Sequence, residues 1–185
     1  MKNYWQNAVT FDEYIKETER RIEVQNPEDD HNEYYELGLQ RMNRTLKTYK
    51  VDEEQLETLK SKNFNGKILI ITEPWCGDAS ATVPAVSKFF EGHNEVRIFY
   101  RDSDTSLIDQ FLTNGTQSIP KILILNEDFS LKNVWGPRPQ YGTELLKKFK
   151  ENPETYPREE FYNDLQVYYA KNKGKDAIQE ILELL

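Results

Sequence analysis

Residues 67–84, KILIITEPWCGDASATVP, constrain the fold more than any other stretch. Ile68 to Ile71 form a short apolar run rich in β-branched residues and bounded by polar turn residues, which reads as a buried strand. Beyond it Val83, Val86, Phe89 and Phe90 recur at helical spacing and stop before Gly92. Between strand and helix lies Glu73-Pro74-Trp75-Cys76-Gly77-Asp78-Ala79. The chain's single cysteine, Cys76, therefore falls at or near the first turn of a helix. Unpaired N–H groups and the helix dipole favour an anion there, which lowers the pKa of a thiol. That placement makes Cys76 the first candidate for chemistry.

The flanks supply helices before the strand and a sheet after it. Thr10-x-x-Glu13 is a capping box ahead of Phe11, Tyr14, Ile15 and Ile22, and Asn26-Pro27 ends that segment. Asp30-x-x-Glu33 opens a second helix, whose Tyr35, Leu39, Met42, Leu46 and Tyr49 make one apolar stripe. This stripe is expected to pack onto the protein's own sheet rather than onto a partner. Asp52-x-x-Gln55 starts a third helix that ends by Asn65-Gly66. Val96 to Arg101 reads as a second strand joined by a parallel crossover. Asp102-Ser103-Asp104 turns the chain into a helix through Leu107, Ile108, Phe111 and Leu112. Lys121 to Leu125 and Leu131 to Trp135 are close enough for an antiparallel hairpin. A helix over Thr143 to Lys150 and two more around Phe161–Tyr169 and Ile178–Leu182 complete the chain. The result is an α/β architecture: a central mixed sheet, helices on both faces, and helical extensions at both ends. The expected boundaries are an N-terminal extension over 1–63, a core over 64–150 and a C-terminal extension over 151–185, packed as one unit.

Composition excludes several functions. The net charge of −8 argues against a nucleic-acid or anionic-membrane surface. No apolar run approaches the ~20 residues of a membrane span. The N-terminal stretch MKNYWQNAVTFDEY lacks the apolar region of a secretory leader, so a cytoplasmic location is expected. A lone cysteine makes no internal disulfide and suits a reducing compartment. His31 and His93 lie far apart, outside any metal-ligand spacing, and neither is expected beside Cys76. There is no P-loop, dinucleotide fingerprint or serine nucleophile elbow. No metal or cofactor is expected.

Trp75-Cys76-Gly77-Asp78-Ala79 resembles the Trp-Cys-Gly-Pro-Cys site of thioredoxins, with two replacements. The helix proline of that family is matched by Pro84, five positions after Ala79. Its cis-proline strand is matched by Ser118-Ile119-Pro120-Lys121 and the apolar residues that follow. The longer phrase Glu-Pro-Trp-Cys-Gly-Asp-Ala, with Gly136-Pro137-Arg138-Pro139 downstream, is similar to a bacterial thioredoxin-like subgroup with a single cysteine. The resemblance implies a thioredoxin-like fold, a cis Ile119–Pro120 bond, and a docking surface of Trp75, Ile119 and Pro120 beside Cys76. Gly77 and Arg138 would help to shape that site.

The departures from the pattern limit the chemistry. Dithiol exchange needs a second, resolving cysteine, and Ala79 stands there. The buried acid of the family has Ile70 at its position. Asp78 has two readings: a helix N-terminal cap, which is preferred, or a proton-transfer and selectivity residue. Its charge opposes a neighbouring thiolate. Arg138 reads equally as a partner for a carboxylate or thiolate and as a solvated loop residue. Two functions stay open. One is a monothiol redox protein that forms mixed disulfides with protein or low-molecular-weight thiols. The other is a non-catalytic module that docks a peptide or protein at the Ile119 edge. A homodimer through the terminal helices is a further alternative.

Overall fold

The computed structural model describes residues 1–185. In chain order its elements are α1 (Lys2–Gln6), α2 (Phe11–Val24), α3 (Asn32–Thr48), α4 (Glu53–Lys62), β1 (Lys67–Thr72), α5 (Gly77–Phe90), β2 (Glu95–Tyr100), β3 (Lys121–Leu125), β4 (Leu131–Trp135), α6 (Gln140–Glu151), α7 (Arg158–Asn172) and α8 (Lys175–Leu184). The sheet order is β2-β1-β3-β4. β1 pairs parallel to β2 through the α5 crossover, with Ile70 opposite Ile98. It pairs antiparallel to β3, with Ile70 opposite Ile122, and β3 pairs antiparallel to β4. The two inner strands β1 and β3 are buried along almost their whole length, as a sheet covered by helices on both faces requires.

One hydrophobic core joins the central sheet to both extensions. It contains Trp5, Tyr14, Met42 and Leu59 from the N-terminal helices, Ile68–Ile71 and Ile122–Leu125 from the strands, and Ile178, Ile181 and Leu182 from α8. A second, smaller cluster of Tyr156, Phe161, Leu165 and Tyr169 holds α7 against α6 and against Ala81 of α5. Val9 forms an isolated bridge to Ile98, extending the β2 edge. The α3 stripe packs inside the protein, but chiefly on α5 and α2 rather than directly on the sheet. Gly38 makes that packing close: a Cβ there would sit 2.5 Å from the carbonyl oxygen of Pro74, just before the Trp75-Cys76 pair.

Local signals were honoured at some helix starts and not at others. The Thr10–Glu13 capping box forms, and Asp52 accepts from the N–H groups of Glu54 and Gln55. Asp30 does not open the next helix: α3 begins at Asn32 with His31 as an uncapped N-cap residue, and the neighbouring Asp29 accepts from His31 N–H and the Tyr35 hydroxyl. The helix expected through Leu107–Leu112 shrinks to a single 3₁₀ turn, Ile108–Gln110. Side chains there satisfy backbone groups locally: Asp104 accepts from Ser106 N–H, and Gln110 donates to the Ser106 carbonyl. Those bonds compete with helix propagation, and Leu112 is left exposed.

Candidate functional site

Cys76 is the N-cap residue of α5 and directly follows the β1–Glu73–Pro74–Trp75 turn. Its N–H donates to the Glu73 carbonyl at 3.1 Å, and its carbonyl accepts from Ser80 N–H at 3.0 Å. The thiol is buried and donates to the Ile119 carbonyl at 3.4 Å. Only the protonated sulfur can make that bond. Burial, reinforced by the negative charge of Asp78, pushes the Cys76 pKa up to about 12. The Asp78 and Ala79 amides and the Arg138 charge act in the opposite direction but do not win. The helix-start placement thus fails to yield a resting thiolate: removal from water outweighs the dipole.

The Ile119–Pro120 peptide bond is cis, as is Gly136–Pro137. These two turns lie against each other. Gly136 has φ +111°, and a Cβ on it would come within 2.3 Å of the Pro120 carbonyl oxygen, so only glycine fits. Lys121, nearly buried, donates to the Gly136 carbonyl at 3.0 Å and ties the turns together. This contact aims Arg138 at α5.

Arg138 meets Asp78. Its Nε donates to Asp78 Oδ2 at 3.1 Å and a terminal nitrogen binds the same oxygen. The other carboxylate oxygen accepts from the Tyr169 hydroxyl of α7 at 2.7 Å. Side-chain exposure is 16% for Arg138 and 9% for Asp78, so the pair is enclosed. Burial opposes the Arg138 charge, but the Asp78 carboxylate outweighs it and raises the guanidinium pKa. Burial and Asp78 also push the Tyr169 phenol well above its ordinary value, which keeps it a donor. Asp78 therefore does not cap α5, contrary to the preferred expectation; its carboxylate turns away to a stronger, charge-assisted partner. Arg138 is accordingly not a solvated loop residue.

A second polar group lies behind the turn. Glu73, only 1% exposed, accepts from Arg21 at 3.1 Å and from Asp102 N–H at 2.8 Å. Burial is the largest influence on Glu73 and raises its pKa despite both donors. Trp75 is clamped over this group. The His31 ring stacks on it at 4.4 Å and 10°, the Arg101 guanidinium sits 4.9 Å from its centroid, and its Nε1 donates to Asp102 at 3.2 Å. His31 thus reaches the residue beside Cys76, where neither histidine was expected. A Cβ on Gly77 would come into ordinary contact, 3.6 Å, with the Arg41 and Gln166 side chains.

A family model described as thioredoxin matches residues 24–150. The chain belongs to the thioredoxin family. The match begins at residue 24, so it includes α3 and α4 and not only the expected core from 64. An HIV epitope-scaffold superposes with TM-score 0.68 at 15% identity, covering 99% of this chain and 95% of its own. A protein of unknown function from Pseudomonas aeruginosa superposes with TM-score 0.62 at 18% identity, covering 96% and 91%. At these identities the likeness concerns the fold. No curated protein matches the sequence.

Within this thioredoxin-family fold, Ile70 is fully buried and apolar, and Ala79 lies buried where a resolving thiol would stand. Of the residues singled out in the sequence, Cys76 touches Ile119, and Asp78 joins Arg138; Trp75 flanks them, facing His31 and Arg101. Sequence reasoning missed Tyr169, Glu73, Lys121 and Arg21. Glu73 carried a signal: an acid two positions after the apolar run Ile68–Ile71 is seldom free to reach water. Tyr169 carried none, since it reaches Asp78 from 91 residues away.

Proposed function

We propose that this thioredoxin-family protein is a single-thiol redox protein whose Cys76 is kept protonated until a partner opens the site. The carrying observation is the Cys76–Ile119 contact, which sets the only thiol against the cis-proline turn. On opening, the Cys76 thiol gives its proton to the water that enters, and the thiolate attacks one sulfur of a disulfide R–S–S–R′. The Cys76–S–S–R bond forms as R′–S⁻ leaves, and a second, external thiol later displaces Cys76 and restores it. With Ala79 at the resolving position, no internal step completes the cycle. Trp75, Ile119 and Pro120 form the docking surface, Gly77 leaves the helix start unobstructed, and Asp78 with Arg138 sets the charge beside sulfur. The proposed partners are protein or low-molecular-weight thiols in a reducing, cytoplasmic setting, and the single-cysteine Trp-Cys-Gly-Asp-Ala motif supports a grouping with the bacterial subgroup it resembles.

The test combines two measurements. Incubation with a mixed glutathione-type disulfide should give one adduct per chain by intact mass, absent in Cys76→Ser. Alkylation of the free protein should be slow at pH 7 and accelerate only at strongly alkaline pH. No adduct, under conditions where an unfolded control reacts fully, would refute the redox reading. The burial of Cys76 favours a second reading in that event: a docking module for an extended peptide at Ile119, whose partners bind equally to Cys76→Ser.

A further inference from the structure

Two facing stripes enclose a pocket beside the start of α5. α3 contributes Arg41, Arg44, Thr45 and Thr48, which share one helix face by their spacing. α7 contributes Gln166 and its C-terminal Lys173, while Ala81 and Ala170 leave room at the base. The enclosed space is about 100 Å³. It opens into a groove of about 530 Å³ past Leu37 and Val167, both exposed apolar side chains.

The charges here are unpaired. Arg41 is half-buried, and what acts on it is burial and the like charge of Arg44; both depress its pKa, and no carboxylate offsets them. In a chain of net charge −8, three cations converge without an acid. Every other buried or half-buried guanidinium around the site has a partner: Arg21 has Glu73 and Arg138 has Asp78. Gln166 adds an independent sign. Its half-buried amide makes no hydrogen bond within the protein: Oε1 is covered without a partner, and Nε2 is left free to donate to an anion.

We propose that this pocket binds the phosphate group of a small phosphorylated molecule. Phosphate supplies acceptor oxygens for two guanidiniums, an ammonium, the Thr45 hydroxyl and the Gln166 Nε2. At neutral pH a phosphate monoester is mostly the dianion, and its two charges match three converging cations better than the single charge of a carboxylate does. The groove beyond, with Leu37 and Val167, suits an apolar or mixed remainder of the ligand. The inference is independent of the thiol reading.

Calorimetric titration of the full chain with inorganic phosphate and with phenyl phosphate, in chloride buffer at matched ionic strength, tests it. Saturable binding to one site is expected, weakened at least tenfold in Arg41→Gln and in Arg44→Gln and unchanged in Lys147→Gln. Equal affinity for the two probes identifies free phosphate as a sufficient ligand, and tighter phenyl phosphate identifies an ester using the groove. Arg41→Gln should also raise the melting temperature without phosphate, because it removes an uncompensated charge; a merely structural arginine would lower it. No saturable binding up to about 10 mM, or binding that survives in both arginine variants, overturns the proposal.

Discussion

Asp78→Asn separates charge from shape at the centre of the site. The asparagine keeps the oxygen that receives the Tyr169 hydroxyl, yet it leaves Arg138 buried without its counter-charge. Arg138 and Asp78 are 16% and 9% exposed, so solvent replaces little of what is lost. Removing one member of such an enclosed pair costs about 3–5 kcal/mol. At roughly 2–4 °C per kcal/mol for a chain of this size, Tm should fall by about 10 °C. The thiol should respond in the opposite sense. Asp78 is the largest influence on Cys76 after burial, and its charge raises the pKa, whereas Arg138 lowers it. Deleting the acid and freeing the base both move the Cys76 titration to lower pH.

The assay is iodoacetamide alkylation across pH, read by intact mass, with thermal unfolding followed in parallel. The double variant Asp78→Asn/Arg138→Met completes the cycle. It removes the stranded charge, so it should regain part of the lost stability, and its thiol should titrate above that of the single variant. A Cys76 titration that stays put or rises in Asp78→Asn would refute the electrostatic account. A double variant that loses the sum of both single effects would show that Arg138 does not depend on Asp78.

Three further outcomes follow from other parts of the structure. Gly38→Ala drives a Cβ into the Pro74 carbonyl, so α3 must retreat from the Cys76 turn at a cost of about 1–3 kcal/mol in urea unfolding; a neutral result would mean α3 is not held there. The Cys76 pKa rises on folding from 9.0 to about 12, so the folded state keeps a proton that the unfolded chain loses. Stability tied to that proton is complete below pH 9 and declines by about 1.4 kcal/mol per pH unit as pH climbs toward 12; Cys76→Ser should flatten this alkaline slope, without abolishing it because Tyr35 and Tyr49 are also raised. Glu73→Gln retains an acceptor for Asp102 N–H but removes the Arg21 pair, and should cost about 1–3 kcal/mol by thermal unfolding.

Legibility in the sequence followed the range of the interactions. The strand Ile68–Ile71, the α5 stripe and the β3–β4 hairpin are written in local patterns of period and turn, and each formed where expected. The 107–112 segment failed because its apolar spacing was helical while the Asp104 and Gln110 side chains bound the Ser106 backbone beside it. Cys76, Asp78 and Arg138 could be singled out from a motif, but not their states. Whether the dipole or burial decides the thiol depends on what closes over it, and that cover is the Ile119 turn, 43 residues away. The preference for Asp78 as a cap failed for the same reason: Arg138 arrives from a loop and Tyr169 from α7, which local spacing cannot bring together.

The Ile119 carbonyl connects the two functional readings. At rest it accepts the Cys76 S–H, so one lone pair of the acceptor that an extended peptide would use is already occupied. A peptide N–H that takes this lone pair displaces the thiol, and one that uses the other leaves it in place. Loss of that hydrogen bond is worth about 1 kcal/mol, or less than roughly one pKa unit. Burial is the larger influence on Cys76, so displacement alone leaves the thiol mostly protonated at pH 7. Activation requires that the partner also open the sulfur to water or bring a cation to it. A docked peptide that leaves the alkylation profile unchanged would therefore identify a binding surface with an idle thiol. One that brings the profile down toward the ordinary thiol range would identify a substrate.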